Sequence, residues 1–408
     1  MINKTPPGWK KAILSELGNW FGGGTPSKSN KDYWLNGSIA WVSPKDMNTK
    51  KINKTIDYIT KEAVTGSSTK IIPKNSILFV TRSGILRNKL PIAINEIDVA
   101  INQDIKAFVP DYKIDFSYLV QYLWANESFL LKSCVKTGTT VESVDYDQLK
   151  QFSCIYPHMQ EQKKIAEILS TWDQAIEKTQ KLIELKEKYF FDLLHRLVNK
   201  INKEFPKRIF LEEIVEIRIG RTPARDNKEY WDIEKVDSHI WLSISDLKHN
   251  EKISTSKENI TNKAIADCNM KSIPAKTVVM SFKLTLGRVS ILEVPAYTNE
   301  AIAAFFPKNS MLKSEFLFYL LQTIKWESFV DQAVKGKTLN KEKLKKIKIC
   351  LVPVKKQDEI VAILDILNKE IDVFKNILDR TKKQKQGLMQ KLLTGEWRMP
   401  LDQETEHG

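Results

Sequence analysis

Polar turns rich in basic, hydroxyl and amide side chains occur at matching places in the two halves of the chain. In the first half their candidate binding residues are Thr25, Lys28, Ser43, Lys45, Arg82, Ser83, Arg87, Asn88, Lys89, Lys136 and Thr139. In the second half they are Arg221, Thr222, Arg225, Ser243, Ser245, Lys283, Thr285, Arg288, Lys335, Lys337, Thr338 and Asn340. Lysine can neutralise phosphates, whereas arginine and amide side chains can recognise base edges in a groove. A solvated loop is the commoner role for any one of them, so the prediction of a DNA-binding surface depends on the agreement between the two halves.

One of these turns also resembles part of a nucleotide-binding loop. Gly336-Lys337-Thr338 matches the end of a phosphate-binding loop. That loop requires a glycine five positions before Gly336, where Asp331 stands. The matching turn of the first half, Gly138 to Thr140, has no lysine. We therefore predict that the chain binds no nucleotide cofactor.

Two further motifs are typical of enzymes that modify or cut DNA, and both are incomplete. Residues 21–24 form a glycine-rich turn like those that bind a methyl donor, but no apolar strand precedes it and the chain has no Asn-Pro-Pro-aromatic segment. Asp111 and Lys113 come nearest to a nuclease cluster, and the second half has Pro307 and Lys308 instead. Because a catalytic site need not be duplicated, a self-contained DNA nuclease or methyltransferase stays as an alternative.

The histidines and cysteines do not indicate a metal centre. The histidines are His158, His195, His239, His249 and His407, and the cysteines are Cys134, Cys154, Cys268 and Cys350. The histidines lack the spacing of metal ligands. The cysteines are too far apart for a zinc motif and lie in or beside apolar runs. We predict reduced core cysteines, no metal and no cofactor.

The composition predicts a folded protein with a large positive charge. The 408 residues are 42% hydrophobic, and 64 Lys and Arg against 50 Asp and Glu give a net charge of +14. This surplus suits DNA or an acidic protein partner, although it also favours solubility. The sequence has no signal peptide and no run of eighteen apolar residues, which predicts a soluble cytoplasmic protein with no membrane partner.

The element that organises the predicted structure is a helix over residues 160–199, whose apolar side chains recur mostly three or four positions apart. A second stripe in the same register begins 195 positions later, with Ile360 corresponding to Ile165. We therefore predict two long antiparallel α-helices that form a coiled coil, a spacer of roughly 60 Å at about 1.5 Å per residue. The predicted interface residues of these helices are Trp172, Ile176, Phe190, Leu194, Leu367, Ile371, Leu388 and Leu392. The apolar residues beside this seam, which include Phe190 and Leu194, predict that other proteins dock on the helices as well.

The second half of the chain repeats the first, with an offset that rises from 197 (Thr25 to Thr222) to 201 (Pro73 to Pro274). Each copy contains a head followed by a long helix. We predict a first head over residues 1–156, a long helix over 157–203, a second head over 204–352, a second long helix over 353–399 and an acidic tail over 400–408.

The first head combines predicted strands and helices. Short apolar runs bounded by Pro, Gly, Asn and Asp predict strands over residues 39–42, 77–80, 90–94 and 105–109. Helical spacing predicts helices over residues 115–132 and 145–151, the first capped by Asp115. The predicted fold is therefore mixed α/β, with two α/β heads separated by two long helices in a pseudo-twofold internal repeat.

With these motifs in this order, the chain resembles the specificity subunit of type I restriction-modification systems over nearly its whole length. The motifs are the Thr-Pro turns at 25–26 and 222–223, the Trp-x-Ser and Asp segments at 41–46 and 241–246, the Gly-x-Thr turns at 138–140 and 336–338, the glutamine-led helices from Gln160 and Gln357, and the ending from Leu388 to Gly395. Each motif is weak alone, but their duplicated order is specific to the family.

The resemblance implies that each head is a target-recognition domain that reads one half of a bipartite double-stranded DNA site, and that the paired helices fix the gap. It also implies a non-catalytic subunit on which two methyltransferase subunits and the restriction (motor-nuclease) subunits dock. The turn from Arg82 to Leu90 differs from the turn from Lys283 to Arg288, so base-contacting positions do not transfer. A coiled-coil adaptor that binds only protein is a further alternative.

Overall fold

The computed structural model describes residues 5–136, 141–234, 238–329 and 339–400. The predicted binding residues Thr139, Lys335, Lys337 and Thr338 lie outside these ranges. The chain forms two compact units, of which unit 1 comprises Met1–Gln180 and Asn376–Gly408 and unit 2 comprises Lys181–Lys375. Each unit therefore contains one head and one half of each long helix, whereas the predicted segments separate the heads from the helices.

The helices are α1 (Lys61–Thr65), α2 (Phe116–Ala125), α3 (Glu127–Cys134), α4 (Tyr146–Lys150), α5 (Met159–Glu204), α6 (Leu211–Ile214), α7 (Asn262–Asp267), α8 (Ser314–Gln322), α9 (Lys341–Lys345) and α10 (Val354–Leu392). The strands of the first head are β1 (Lys10–Ile13), β2 (Gly18–Gly22), β3 (Ile39–Val42), β4 (Lys51–Ile52), β5 (Asp57–Ile59), β6 (Ile71–Ile72), β7 (Ile77–Val80), β8 (Ile92–Asn95), β9 (Val99–Ile101), β10 (Ile105–Pro110), β11 (Val135–Lys136), β12 (Ser143–Val144) and β13 (Ser153–Tyr156). Those of the second head are β14 (Arg208–Phe210), β15 (Val215–Ile219), β16 (His239–Leu242), β17 (Glu251–Ile253), β18 (Glu258–Ile260), β19 (Val278–Ser281), β20 (Val289–Leu292), β21 (Tyr297–Thr298), β22 (Ile302–Pro307) and β23 (Lys348–Cys350).

Two sheets form most of the first head. The larger has the strand order β2-β10-β7-β8-β4, and the smaller has the order β5-β3-β9-β6. Strand β7 is buried along its whole length because β10 and β8 flank it and both of its faces are covered. The strand predicted from Leu90 begins at Ile92 instead. Leu90 and Pro91 lie outside the strand because the Leu90 N–H donates to Glu127 and Pro91 has no N–H to donate to a neighbouring strand.

The second head repeats this topology. Its larger sheet has the order β15-β22-β19-β20-β17, which matches the first head strand for strand, and its smaller sheet has the order β18-β16-β21. The parallel pairs also recur, since β3 pairs with β9 in one head and β16 with β21 in the other. The predicted mixed α/β fold with an internal repeat is therefore confirmed.

The prediction of a single helix over residues 115–132 is wrong, because the structure has two helices there, α2 and α3. Asp115 caps α2 as predicted, because its side chain accepts from Tyr118 N at 2.9 Å. The helix stops at Asn126, whose side chain donates to Tyr122 O at 2.8 Å. This amide satisfies a carbonyl at the end of α2, and α3 begins directly afterwards.

The two long helices pair antiparallel within each unit. In unit 1, Asp173 of α5 contacts Lys385 of α10 at 2.6 Å, and Glu161, twelve residues earlier, contacts Arg398 beyond the end of α10 at 2.8 Å. In unit 2, Lys186 bonds to Glu370 at 2.6 Å. Helix α10 ends at Leu392, inside the predicted segment 353–399, because the chain reverses at Gly395, where φ is +72°.

A buried glutamine joins each head to a long helix. Gln162 accepts from Asp115 N at 2.7 Å and donates to Pro157 O at 2.9 Å. Gln357 accepts from Lys313 N at 2.9 Å and donates to Val352 O at 2.8 Å. The counterpart of Gln357 is therefore Gln162, and the exposed Gln160 that begins the predicted helix is not.

The cysteines are free thiols, and Cys134, Cys154 and Cys350 are buried while Cys268 is partly buried. Burial raises the pKa of the Cys134 thiol, so it stays protonated and unreactive at neutral pH. Among the described residues, no group of three or more His, Cys, Asp and Glu side chains could hold a metal ion. No helix in the same ranges has the length and apolar character needed to cross a membrane.

Candidate nucleic-acid interface

Two tryptophans fix the Thr-Pro turn of unit 1. The Trp41 indole donates to Gly24 O at 3.1 Å, and the Trp34 indole donates to Ser27 O at 3.1 Å. The two rings pack edge to face with their centroids 5.2 Å apart. Gly24 itself has no room for a Cβ atom, which would collide with Ser68. The turn is therefore rigid from residue 24 to 27, and Lys28 projects from its exposed end.

The same construction recurs in unit 2. The Trp241 indole donates to Arg221 O at 3.0 Å, and the Trp231 indole donates to Ala224 O at 3.1 Å. The ring centroids are 5.0 Å apart. The Trp residues that mark the repeat in the sequence thus hold the backbone of the turn, and they leave the side chains at the turn surface free to differ.

A polar residue behind each turn distinguishes the two units. Thr25 donates to the side-chain oxygen of Gln103, and Thr222 donates to the carboxylate of Glu300. The hydrogen bond from Thr222 lowers the pKa of Glu300, and the charges of Lys283 and Arg225 lower it further. Unit 1 therefore presents an amide, which can donate and accept, where unit 2 presents an anion that only accepts. The sequence pattern marked Gln103 and Glu300 as repeat positions but not as site residues.

The other predicted turns of unit 1 meet beside Gln103. Thr81 N donates to Asp104 O at 2.7 Å, and Ser83 N donates to Glu142 O at 3.2 Å. Arg87 bonds to Glu142 at 2.6 Å, which lowers the pKa of Glu142. These contacts place residues 24–28, 81–89, 102–104, 135–136 and 141–145 at one edge of the head, the polar edge of unit 1.

Several predicted residues at this edge bond to their own chain. Lys136 forms an ion pair with Asp145 at 2.6 Å, which lowers the pKa of Asp145. The Ser83 hydroxyl accepts from Ile85 N at 3.4 Å. The Ser43 hydroxyl, close behind the edge, donates to Asp46 at 3.0 Å. By contrast, the side chains of Lys28, Lys45, Arg82, Asn88 and Lys89 are exposed and form no hydrogen bond or ion pair with other described residues.

The polar edge of unit 2 consists of residues 221–225, 281–288, 298–301 and 339–340. Phe282 N donates to Ala301 O at 3.0 Å, and Leu339 N donates to Phe282 O at 3.0 Å. These two bonds bring segments 281–288 and 339–340 beside the segment that carries Glu300. The turn after Phe282 carries Lys283 and Thr285 on either side of Leu284, which has a φ of +63° and is exposed. Asn340 accepts from Lys343 N at 2.8 Å and caps α9.

Two arginines predicted to bind DNA from unit 2 already bond to other residues of that unit. Arg225 holds Glu258 through both terminal nitrogens, at 2.5 and 3.2 Å, and lies 4.0 Å from the centre of the Trp231 ring. Arg288 donates to Leu247 O at 3.3 Å. Ser243 donates to Asp246 at 2.7 Å and is 2.8 Å from the Ser245 hydroxyl. Arg221, which is exposed, donates to Cys268 O at 3.3 Å.

The residues predicted for the helix interface are buried to different extents. Phe190, Leu194, Ile371 and Leu392 are buried, whereas Trp172, Ile176, Leu367 and Leu388 are partly buried. Phe190 packs against Tyr319 of the second head, with the ring centroids 6.0 Å apart. Phe190 and Leu194 therefore belong to the interior of unit 2 and leave no surface for another protein. The exposed apolar side chains of the long helices include Leu182, Leu185, Tyr189, Ile363, Ile366, Val373 and Ile377.

A family model described as the type I restriction modification DNA specificity domain matches residues 6–187 and again residues 206–383. The chain belongs to this family. Two copies of the specificity domain account for the two heads, which share one topology and carry different side chains at their polar edges. The function of this specificity chain is therefore DNA sequence recognition in type I restriction-modification.

Relatives of this specificity chain share either half or nearly all of its length. The EcoR124I/EcoR124II specificity subunit of Escherichia coli is 43% identical over 193 residues, which are 46% of this chain and 47% of that protein. The MjaIX specificity subunit of Methanocaldococcus jannaschii is 28% identical over an alignment that covers 98% of this chain and 95% of that protein. The chain thus spans about half of the first relative and almost all of the second.

Solved structures of similar fold include the type I restriction-modification S subunit from M. genitalium, with a TM-score of 0.55 and 16% identity over 96% of both chains. A chain from a structural study of the assembly and conformational transition of the type I R-M system has a TM-score of 0.54 and 17% identity, over 97% of this chain and 100% of that one. These likenesses show a shared fold.

Proposed function

We propose that this chain is the DNA-reading subunit of a type I restriction-modification complex, in which the polar edge of each unit contacts one half of a bipartite double-stranded DNA site. The observation that best supports this proposal is a common backbone framework with different side chains on it, Gln103 in unit 1 and Glu300 in unit 2. Two different half-sites require different donors and acceptors held in similar positions.

In unit 1, we assign DNA contact to the exposed side chains without a partner among the described residues, which are Lys28, Lys45, Arg82, Asn88 and Lys89. Lysines suit phosphates, while Arg82 and Asn88 have the donor and acceptor geometry for base edges. In unit 2, the corresponding assignment is to Arg221, Ser245, Lys283 and Thr285. Arg225 and Arg288 are assigned to holding the edge in place.

The partners follow from the family and from the exposed apolar side chains of the long helices. Leu185 and Tyr189 lie one turn apart on α5 and are 56% and 51% exposed, and Ile366 on α10 is 67% exposed. Apolar surface of this kind marks a protein interface. We assign it to two methyltransferase subunits, with restriction subunits joining the same complex. Catalysis then belongs to those partners, and the complex acts on DNA in the cytoplasm.

The deciding experiment is to co-express the chain with its methyltransferase subunits and to map the methylated bases of the host genome. Replacing residues 8–151 with the matching part of a relative should change one half of the methylated site and leave the other. A change in both halves would contradict the assignment of one half-site to each unit.

The rival functions are tested with the purified chain. A gel shift on duplex DNA should show affinity that falls with salt, by a slope of roughly −0.9 per neutralised phosphate in log–log form. A protein-only adaptor would give no shift at low salt. Methylation or cutting of DNA by the chain alone, with methyl donor or Mg²⁺ supplied, would establish a self-contained enzyme.

A further inference from the structure

The contact between head and long helices in unit 1 is a buried ionic network. Gln121 on α2 donates to Asp173 Oδ2 of α5 at 2.6 Å. Lys385 of α10 donates to Gln121 Oε1 at 3.1 Å and pairs with Asp173 Oδ1 at 2.6 Å. Gln121 and Lys385 are only 3% and 5% exposed. One glutamine of the head thus bonds to both long helices at once.

A second cation from the head stands beside this network. Lys50, in the turn before β4, lies 4.1 Å from the centre of the Trp124 ring on α2. Lys50 is exposed overall. Partial burial lowers the pKa of Lys50, the charge of Lys385 lowers it further, and the charges of Asp173 and Glu127 oppose both effects. Asp173 has a central place in this network, because it bonds to Gln121 of the head and to Lys385 of α10 at once.

Unit 2 has neutral side chains where the helices of unit 1 carry the ion pair. The offset of 195 between Gln162 and Gln357 relates the two long helices, so Asn368 on α10 corresponds to Asp173 and Phe190 on α5 corresponds to Lys385. On the head side, Tyr319 of α8 occupies the place of Gln121, since the helices α2 and α8 begin after the corresponding residues Asp115 and Lys313.

The network of unit 2 has no ion pair, although it includes one carboxylate, that of Asp365. Asn368 Nδ2 donates to the Tyr319 hydroxyl at 3.0 Å, and that hydroxyl donates to Asp365 at 2.5 Å. Asn250, in the turn before β17, donates to Asn368 Oδ1 at 2.8 Å. Phe190 packs on the Tyr319 ring. In both units the contact is made by a turn of the head, a helix of the head and the long helices. The side chains are those of an ion pair in unit 1, whereas unit 2 uses amides, a tyrosine and a carboxylate.

We propose that these two networks form a matching code that decides which head can seat on which helix surface. The surface of Asp173 and Lys385 accepts a head with glutamine at the position of Gln121 and a lysine at that of Lys50, and it excludes a head of the neutral type. In unit 2 the hydroxyl of Tyr319 bonds to Asn368 and Asp365, and its ring packs on Phe190. A tyrosine in place of Gln121 would therefore set its ring against Lys385, which would lose the acceptor that Gln121 supplies. Buried polar groups without partners are costly, and an unpaired buried charge costs most.

The code concerns exchange of heads between relatives. A transplanted head carries its own α2, while Asp173 and Lys385 stay with the helices. Heads of the ionic type should therefore transfer into the first position of this chain, and heads of the neutral type should fail there unless the helix residues change with them.

The test uses two sets of substitutions in the full chain. The helix set is Ser170→Asp, Asp173→Asn and Lys385→Phe, which installs the residues of unit 2 on the helices of unit 1. The head set is Gln121→Tyr and Lys50→Asn. Hydrogen exchange of the α2 amides is the readout, and the α8 amides of unit 2 are the internal control.

Each set alone should speed α2 exchange by roughly tenfold or more, because it leaves buried polar groups unpaired. The two sets together should return the rate to within about threefold of the unchanged chain, with α8 constant throughout. If the combined variant instead exchanged faster than either set alone, with no return toward the rate of the unchanged chain, the proposed code would be overturned. Hydrogen exchange is measured without DNA. If the unchanged chain did not bind DNA, that result would count against the proposed function and would leave the matching code untouched.

A smaller pair of variants covers the case in which the combined set does not fold. Asp173→Asn leaves the buried Lys385 charge unpaired, whereas Asp173→Asn with Lys385→Met removes both charges. The single variant should exchange faster than the double variant. The reverse order would show that Lys385 does not depend on Asp173, and would overturn the proposal.

Discussion

The residues of the polar edges divide into those that hold the edge and those that remain free, and side-chain type does not separate the two groups. Arg82 and Arg225 are both arginines of a polar turn. Arg225 is committed to Glu258 and Trp231, while Arg82 is exposed without a partner among the described residues. An arginine whose guanidinium already holds a carboxylate through two nitrogens has fewer donors to offer to a base.

Arg82 should therefore matter for DNA binding and little for stability. Arg82→Ala is expected to lower the affinity of the assembled complex for its site by roughly 5-fold to 150-fold, the equivalent of about 1–3 kcal/mol for a base-reading arginine. The matched control is Arg196→Ala, which removes the same charge from the exposed face of α5. Equal effects of the two substitutions in a titration at fixed salt would show that only net charge matters.

Glu142 should affect stability in a pH-dependent way. Its hydrogen bond with Arg87 lowers its pKa, so this contribution is present above the ordinary carboxyl range and is lost as the pH falls through the lowered pKa. Glu142→Gln is expected to lower the melting temperature at pH 7. The difference should shrink as the pH falls below the ordinary carboxyl value of about 4.3 and vanish only below the lowered pKa of Glu142. Asp147→Asn, at a side chain that is 91% exposed, is the control. A difference that persists at acid pH would mean that the charge is not the cause.

The sequence predicts residue types and repeat positions well, and partners poorly. The turns at Thr25 and Thr222 were predicted, because their types and order recur. The anchoring acceptors Glu142 and Glu258 were not, because each lies more than thirty positions from its arginine, with a separation of 55 residues for Arg87 and 33 for Arg225. Contacts at such distances depend on tertiary packing that local patterns do not contain.

At the scale of elements, periodicity succeeds for long helices and fails at short breaks. The repeated stripes predict α5 and α10, whose lengths are 46 and 39 residues. The break at Asn126 leaves the spacing of apolar residues nearly unchanged, so the sequence predicts one helix instead of two. Periodicity also fails to show which side of a helix meets its own head, which is why Phe190 was assigned to the wrong surface.

The glutamine at the start of each long helix should act as a clamp between head and helix. Gln162→Leu leaves Asp115 N and Pro157 O without their partner, and we expect a loss of about 1–3 kcal/mol in unit 1. Gln357→Leu is the matched change in unit 2. Hydrogen exchange should speed up in α2 for the first variant and in α8 for the second. Faster exchange in both helices for either variant would mean that the clamps do not act separately.

The exposed apolar residues of α5 give a test of partner binding that leaves the head packing intact. Leu185→Ser with Tyr189→Ser should weaken co-purification with the methyltransferase subunit, because it removes apolar area that the partner would cover. Tyr112→Ser, at a residue that is 89% exposed in a turn of the first head, is the control. Undiminished co-purification would exclude this part of α5 as the docking surface.

At the scale of the whole molecule, the repeat exchanges the roles of the two long helices. In unit 1 the helix that begins beside the head is α5, which carries Gln162, and in unit 2 it is α10, which carries Gln357. Each head is therefore held by the beginning of one long helix and the end of the other. This arrangement explains how one chain supplies two similar units from helices that run in opposite directions.

The last prediction concerns the two helices as a ruler for the bipartite site. Four residues added to α5 after Gln180 and four added to α10 after Lys375 fall at the division between the units, so the contacts of Asp173 with Lys385 and of Lys186 with Glu370 stay intact. An α-helix rises about 1.5 Å and turns about 100° per residue, so the insertion adds roughly 6 Å and a net turn of only about 40°. One or two more base pairs should then separate the half-sites, at roughly 3.4 Å each. Two added residues per helix would turn one unit by about 200° and should abolish binding. Mapping the methylated sites made by each variant gives the spacer directly, and an unchanged spacer after the four-residue insertion would show that these helices do not set it.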